Sequence, residues 1–187
     1  MTGIILTGGK NTRMGENKAF VEVGGEKIIE RMLRIYREVF DEIVLVTNSP
    51  LDYLAYDVKI VTDLIKGKSA LGGIYTGLFY ASSKHAFFAA CDMPFLRRDF
   101  IEYMAGRIDS NDIVVPHPPD GFQPLHAIYS KRCLSRIKIL IDENHLKVRG
   151  FYKKAKTLVI TADEIEKFDP EGKIFLNVNS REDLAKT

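Results

Sequence analysis

The feature that most constrains this chain is a change of hydrophobic period that recurs along it. Short apolar and β-branched runs occur at Gly3-Ile4-Ile5-Leu6, Glu42-Ile43-Val44-Leu45-Val46, Val58-Lys59-Ile60-Val61, Ala86-Phe87-Phe88-Ala89-Ala90, Ile113-Val114-Val115 and Leu158-Val159-Ile160. Several are continuous rather than alternating, as strands covered on both faces require. Stretches of helical period lie between them. The clearest covers residues 27–40, where Ile28, Ile29, Met32, Leu33, Ile35, Tyr36, Val39 and Phe40 make one broad apolar stripe. Further helices are expected near 72–82, 97–108 and 131–143. Ser180 ahead of Glu182 and Asp183 supplies an N-cap and an acidic first turn for a short helix near 180–184. Strand and helix in alternation predict an α/β fold, a three-layer α/β/α sandwich around a mostly parallel sheet. No internal repeat or linker interrupts the pattern. Pro118, Pro119 and Gly121 mark a loop, so residues 1–187 read as one domain.

Composition narrows the functional classes. At 187 residues, 45% hydrophobic and 28% charged, the chain is neither a disordered tail, a collagen-like fibre nor a disulfide scaffold. A formal charge of +2 is too small to make nucleic acid the main partner. The charge is unevenly spread: residues 131–156 hold nine bases and two acids, +7 in total. That segment is either a solvated helix face or a positive rim that attracts a phosphorylated substrate. Cys91 and Cys133 lie far apart and fit no metal spacing, which favours a reducing cytosol. No apolar run approaches the roughly 18 residues of a membrane span, and the first residues read as a strand rather than a basic leader. A cytoplasmic protein without membrane contact is expected.

Open parallel sheets bind ligands beyond the carboxyl ends of their strands, and here glycines and polar residues gather after those ends. Six of the 14 glycines fall within the first 25 residues, and the first strand runs into Leu6-Thr7-Gly8-Gly9-Lys10-Asn11-Thr12-Arg13-Met14-Gly15-Glu16-Asn17-Lys18. Glycines let backbone amides approach an anion closely. Arg13 adds a guanidinium fork and Lys18 a point charge, a combination that suits a polyphosphate. The spacing matches neither a Walker loop nor the dinucleotide glycine fingerprint. Asp92 follows the run that ends at Cys91, with Pro94 holding Met93 extended. A carboxylate there is either a turn residue or a ligand for Mg²⁺, which takes one or two carboxylates and fills its shell with water and phosphate oxygens. Asn48 and Asp63 also follow strands, and turn formation would explain either. Asn177 and Asn179 alternate on an extended stretch and so face the same way.

Leu6-x-Gly8-Gly9-x-x-x-Arg13-Met14-Gly15-x-x-Lys18 resembles the L-x-G-G-x-S-x-R-M-G-x-x-K signature of nucleotidyltransferases with a glycosyltransferase-A-like fold. Among them the chain is most similar to the molybdenum cofactor guanylyltransferases. The similarity continues through Cys91-Asp92-Met93-Pro94-Phe95, Gln123-Pro124-Leu125-His126-Ala127 and the stretch Phe175-Leu176-Asn177-Val178-Asn179-Ser180-Arg181-Glu182-Asp183-Leu184. Asn11 stands where the family usually has Ser, Thr7 where Ala is common, and Arg181 where Pro is usual.

The resemblance implies a Rossmann-like sheet of the nucleotide-diphospho-sugar transferase type, and transfer of GMP from GTP to molybdopterin with Mg²⁺ and release of pyrophosphate. It places Leu6, Thr7 and Gly8 on the base and ribose through their backbones, and Gly9 to Gly15 around the phosphates. Arg13 and Lys18 then bind the phosphates as catalytic charges, and Asp92 holds the metal. Asn48, Asp63 and Gly72, with Gly67 and Gly73 nearby, are expected to touch the nucleotide. Gln123 and Pro124, with Leu125 and His126, are expected to line the pterin side, together with Asn177 and Asn179. The phosphate nucleophile is already anionic near neutral pH, so no general base is required and His126 receives no acid–base role. Transient contact with proteins that deliver or accept the cofactor is expected. Another phosphorylated acceptor (a sugar phosphate, a cobinamide phosphate, a phospholactate) would suit the same fold. A purely binding protein would have no need of Arg13, Lys18 and Asp92 together.

Overall fold

The computed structural model describes residues 1–7 and 17–178. The elements are β1 (Thr2–Leu6), β2 (Glu22–Val23), β3 (Glu26–Lys27), α1 (Ile28–Val39), β4 (Glu42–Val46), β5 (Lys59–Val61), α2 (Ser69–Tyr80), β6 (His85–Ala90), α3 (Arg98–Gly106), β7 (Ile113–Pro116), β8 (His126–Ser130), α4 (Leu134–Asp142), β9 (Thr157–Ile160) and α5 (Ala162–Glu166). Seven strands form one sheet in the order β5-β4-β1-β6-β8-β7-β9. Every pairing in it is parallel except those of β8, which runs against both β6 and β7. The mostly parallel α/β architecture expected from the sequence is thus present.

Side-chain alternation sorts the strands onto two cores. Ile5, Leu45, Phe87, Val114 and Ile128 face a layer that contains α1, α3 and Ile165 of α5. Ile4, Leu6, Val44, Val46, Phe88, Val115 and Tyr129 face α2 and α4. Covering on both faces explains why the strand runs are continuous in the sequence. Helix α1 buries Ile28, Ile29, Met32, Leu33 and Tyr36, the stripe its periodicity marks. The Tyr36 hydroxyl donates to the Ile4 carbonyl at 3.1 Å, satisfying the phenol inside the core. Helix α2 can approach β1 closely because position 77 is glycine. A Cβ there would stand 2.7 Å from both Ile4 Cγ2 and Phe88 Cε1.

Three elements go beyond the sequence pattern. The β2–β3 hairpin turns at Gly24 and Gly25, whose φ values of 62° and 82° match a type I′ turn. Helix α5 opens on a capping box between Thr161 and Glu164. Strand β8 inverts locally and carries the segment before it to the carboxyl edge of β6, where Ala90 N donates to Leu125 O at 3.1 Å. Helix α2 starts at Ser69, ahead of the expected start at 72. The helix expected near 180–184 lies outside the described residues.

Candidate active site

The carboxyl ends of β1, β4, β5 and β6 lie side by side. Their ladders continue one residue past the strands: Thr7 N donates to Val46 O at 3.0 Å, Cys91 N to Leu6 O at 3.0 Å and Thr47 N to Val61 O at 2.9 Å. Beyond this edge opens a cleft of ≈ 490 Å³ lined by Leu6, Val46, Thr47, Asn48, Asp63, Gly67, Ser69, Ala70, Gly73, Ala90 and Leu125. Gly67 (φ 74°) and Ser69 (φ 52°) take left-handed backbone in the turn that enters α2. The side chain of Lys68, the residue ahead of that helix, makes no capping hydrogen bond, so the helix's positive end opens on the cleft.

Two polar pairs lie at this edge, one on the cleft wall and the other at the end of β6, outside the residues that line the cleft. The Asn48 side-chain amide donates to Asp63 Oδ2 at 2.8 Å. Asp63 Oδ1 is buried and has no hydrogen-bond partner among the described residues. Lys18 Nζ stands 3.5 Å from Asp92 Oδ2, and both side chains are about one-fifth exposed. Asp92 leaves the end of β6, and its carbonyl accepts a 2.8 Å hydrogen bond from Val178 N, which fixes the loop against the carboxyl-terminal strap. Lys18 lies in a 3-10 turn, Lys18–Phe20, capped by the Asn17 side chain.

The other expected site residues fall into three groups. Leu6, Thr7, Asn48, Asp63 and Gly73 reach the strand-end edge or the cleft. Gly72 does not line it. A Cβ at Gly72 would meet Lys68 Cβ at 3.0 Å and Ile65 O at 3.2 Å, so this glycine admits the loop–helix junction. Gln123 and Pro124 are engaged with the backbone: Gln123 N donates to Pro116 O, and Pro124 O accepts from the Tyr129 hydroxyl at 2.8 Å. Leu125 is the member of that motif on the cleft wall. Asn177 is exposed, one residue before the amide that holds Asp92. Gly8, Gly9, Arg13, Gly15 and Asn179 lie outside the described residues.

Part of the basic segment is paired away from the cleft. Arg132 and Arg136 pair with Asp112, at 2.5 and 3.9 Å. Lys156 bonds to Asp112 through its backbone and to Ser110 through its ammonium group. Asp112 precedes β7, which is parallel to β6 through their shared neighbour β8, so these three bases sit at the amino edge of the sheet, away from the cleft. Paired at that edge, these three bases add no positive rim to the cleft.

Burial excludes two reactive-looking groups. The Cys91 thiol is pushed up to about 12 by burial, with the Asp92 charge adding to the effect, so it is no nucleophile at neutral pH. His126 is fully buried among Phe87, Phe100 and Phe175, and neither ring nitrogen has a partner among the described residues. Burial holds its pKa down to about 3, so it is neutral. The sequence patterns do not point to Tyr53 and Asn17, whose hydrogen bond stands beside Lys18; no spacing rule singles out a lone tyrosine in a turn.

A family model described as the MobA-like NTP transferase domain matches residues 3–158. A protein of Desulfosudis oleivorans named molybdenum cofactor guanylyltransferase is 38% identical over 188 residues, covering 100% of this chain and 93% of that protein. A protein of Peptoclostridium acidaminophilum named probable molybdenum cofactor guanylyltransferase is 34% identical, covering 99% of this chain and 87% of that one. The crystal structure of molybdopterin-guanine dinucleotide biosynthesis protein A from Archaeoglobus fulgidus superposes with a TM-score of 0.85 at 27% identity, covering 100% and 96% of the two chains.

The buried neutral histidine sets an acid limit on stability. Its folded pKa of about 3 lies below the unfolded value near 6.5, so the unfolded chain binds the proton first as pH falls. Stability should be complete above about pH 6.5 and fall towards pH 3, by at most ~1.4 kcal/mol per pH unit from this group. His126→Leu should lose less stability between pH 7 and pH 5 than the wild type in urea unfolding. Equal losses would contradict the assignment.

Proposed function

The chain belongs to the MobA-like NTP transferase family, and we propose that it transfers GMP from GTP to molybdopterin, releasing pyrophosphate. The observation that carries this reading is the Lys18–Asp92 pair, a half-buried cation and carboxylate 3.5 Å apart where β6 ends beside β1. The names of its full-length relatives support the choice of substrates.

In the transfer, an oxygen of the acceptor's terminal phosphate forms a bond to the α-phosphorus. The bond from that phosphorus to the oxygen bridging to the β-phosphate breaks, and pyrophosphate leaves with the electron pair. Such chemistry depends on positioning and charge neutralisation. Lys18 would bind the α-phosphate oxygens, where charge grows. Asp92 fits a divalent ion of the Mg²⁺ type: one carboxylate at a strand end, partly open, with its backbone fixed. Among the described residues no three His, Cys, Asp or Glu side chains form an all-protein cage, which agrees with an ion that completes its shell from water and phosphate. When bound, the ion would neutralise phosphate charge and orient the triphosphate. The anionic acceptor needs no base, and His126 is sequestered from the cleft.

Asp63 supports guanine as the base. Its Oδ1, which has no hydrogen-bond partner among the described residues, is an acceptor at the cleft wall. Guanine presents N1–H and N2–H₂ donors to such an oxygen, whereas adenine presents an acceptor at N1. Asn48 holds the carboxylate in place. Arg13, Gly8, Gly9 and Gly15 would surround the phosphates, and Asn177 and Asn179 would meet the acceptor from the Asp92 side. The 187 residues would act as one catalytic unit.

Pyrophosphate release from GTP, Mg²⁺ and molybdopterin tests this directly. Lys18→Ala should reduce kcat by roughly 100-fold or more, the scale for losing a transition-state donor, with a smaller change in GTP affinity. Asp92→Asn should abolish Mg²⁺-dependent turnover. Near-normal turnover in either variant, or activity only with a sugar phosphate or another acceptor, would overturn the assignment.

Asp63→Asn gives a separate reading of base choice. Its kcat/KM for GTP should fall roughly 10- to 100-fold, the cost of a mismatched buried acceptor. Its preference for GTP over ATP should narrow. An unchanged preference would remove Asp63 from base recognition.

A further inference from the structure

We propose that Tyr53 is a positioning residue for Lys18, acting through Asn17. The inference rests on the transfer reading for its kinetic part only. Tyr53 ends the 3-10 turn Pro50–Tyr53 that follows Asn48, and its side chain is fully buried. Its hydroxyl accepts from Asn17 Nδ2 at 2.9 Å and lies 3.2 Å from Asn17 Oδ1. The ring packs on Phe20, centroids 5.2 Å apart.

Asn17 immediately precedes Lys18, and its Oδ1 accepts from Ala19 N at 3.2 Å, capping the turn that carries the lysine. One phenol therefore holds the side chain that caps the Lys18 turn. The phenol sits in a buried setting, with Tyr53 and Ala19 both fully buried. Losing the phenol oxygen leaves Asn17 with an unmatched amide, which then competes with its role as cap. The Lys18 ammonium would drift from Asp92, and misplacement of a catalytic charge by about 1 Å is costly.

Tyr53→Phe keeps the ring and removes only the oxygen. Hydrogen exchange at Ala19 reports the clamp without reference to activity: the variant should exchange that amide roughly tenfold faster, while the amides of β1 and β6 keep their protection. In pyrophosphate release, kcat should fall about tenfold with KM for GTP changing less than about threefold. In a Lys18→Ala background the same substitution should cost less than about twofold, because the residue it positions is gone. Asn17→Ser, which retains a capping oxygen and loses the amide that reaches Tyr53, should reproduce the pattern if Tyr53→Phe is poorly folded. Unchanged exchange at Ala19, or an equal fold loss with and without Lys18, would overturn the proposal. A wild-type protein that releases no pyrophosphate from GTP and molybdopterin would refute the transfer reading instead, and Ala19 exchange would still decide the clamp.

Discussion

The site depends on the in-register pairing of β1 with β4 on one side and β6 on the other. Leu6 is opposite Val46 and also opposite Ala90, so three strands reach the same edge together. Parallel hydrogen bonding makes all three present their carboxyl ends in one direction. The residues that leave these ends, Thr7, Thr47-Asn48 and Cys91-Asp92, therefore share one space. A register slip of one residue would turn every side chain to the opposite core and separate these exits. The two apolar layers prevent it, because Ile4 and Ile5 on β1 are buried on opposite faces.

Charge is used differently at the two edges of the sheet. At the amino edge, Asp112 gathers Arg132, Arg136 and the Lys156 backbone. Burial pushes the Asp112 carboxyl up, but the hydrogen bonds and positive charges of those partners more than offset it and leave the group below the usual carboxylate range. That cluster closes the start of β7 and offers nothing to a ligand. At the carboxyl edge, Lys18 and Asp92 stand at 3.5 Å, a looser contact that an incoming phosphate and cation can divide between them. A partly exposed pair of this kind contributes at most ~1 kcal/mol to stability. Its placement makes more sense as prepared chemistry than as cement.

Much of this is legible in the sequence. Continuous apolar runs mark the central strands, and the α1 stripe marks its helix and buried face. Lys18 and Asp92 stand out because a strand-exit glycine loop and a strand-exit carboxylate have few common uses. The rest is hidden for physical reasons. Strand β8 begins with His126 and ends with Ser130, polar residues that are nonetheless fully buried, so no hydrophobic period announces it. Its direction is a tertiary fact that no local pattern contains. The Gly24-Gly25 turn merges with the glycines ahead of it when only composition is weighed, although a two-residue glycine turn between short strands is a hairpin signal. At Gly72 a Cβ would crowd Lys68 and Ile65, a packing constraint that the sequence alone does not show. The position of Arg132, Arg136 and Lys156 at the amino edge cannot be read until β7 and β8 are placed.

The central claim is that one cleft holds a nucleoside triphosphate between Lys18 and an ion carried by Asp92. The most direct measurement is a crystal structure with a non-hydrolysable GTP analogue and Mn²⁺, read by anomalous scattering. The predicted result is a manganese peak on the Asp92 carboxylate, Lys18 Nζ within hydrogen-bonding distance of an α-phosphate oxygen, and guanine beside Asp63. A nucleotide bound elsewhere, or a metal that contacts the phosphates but not Asp92, would contradict it.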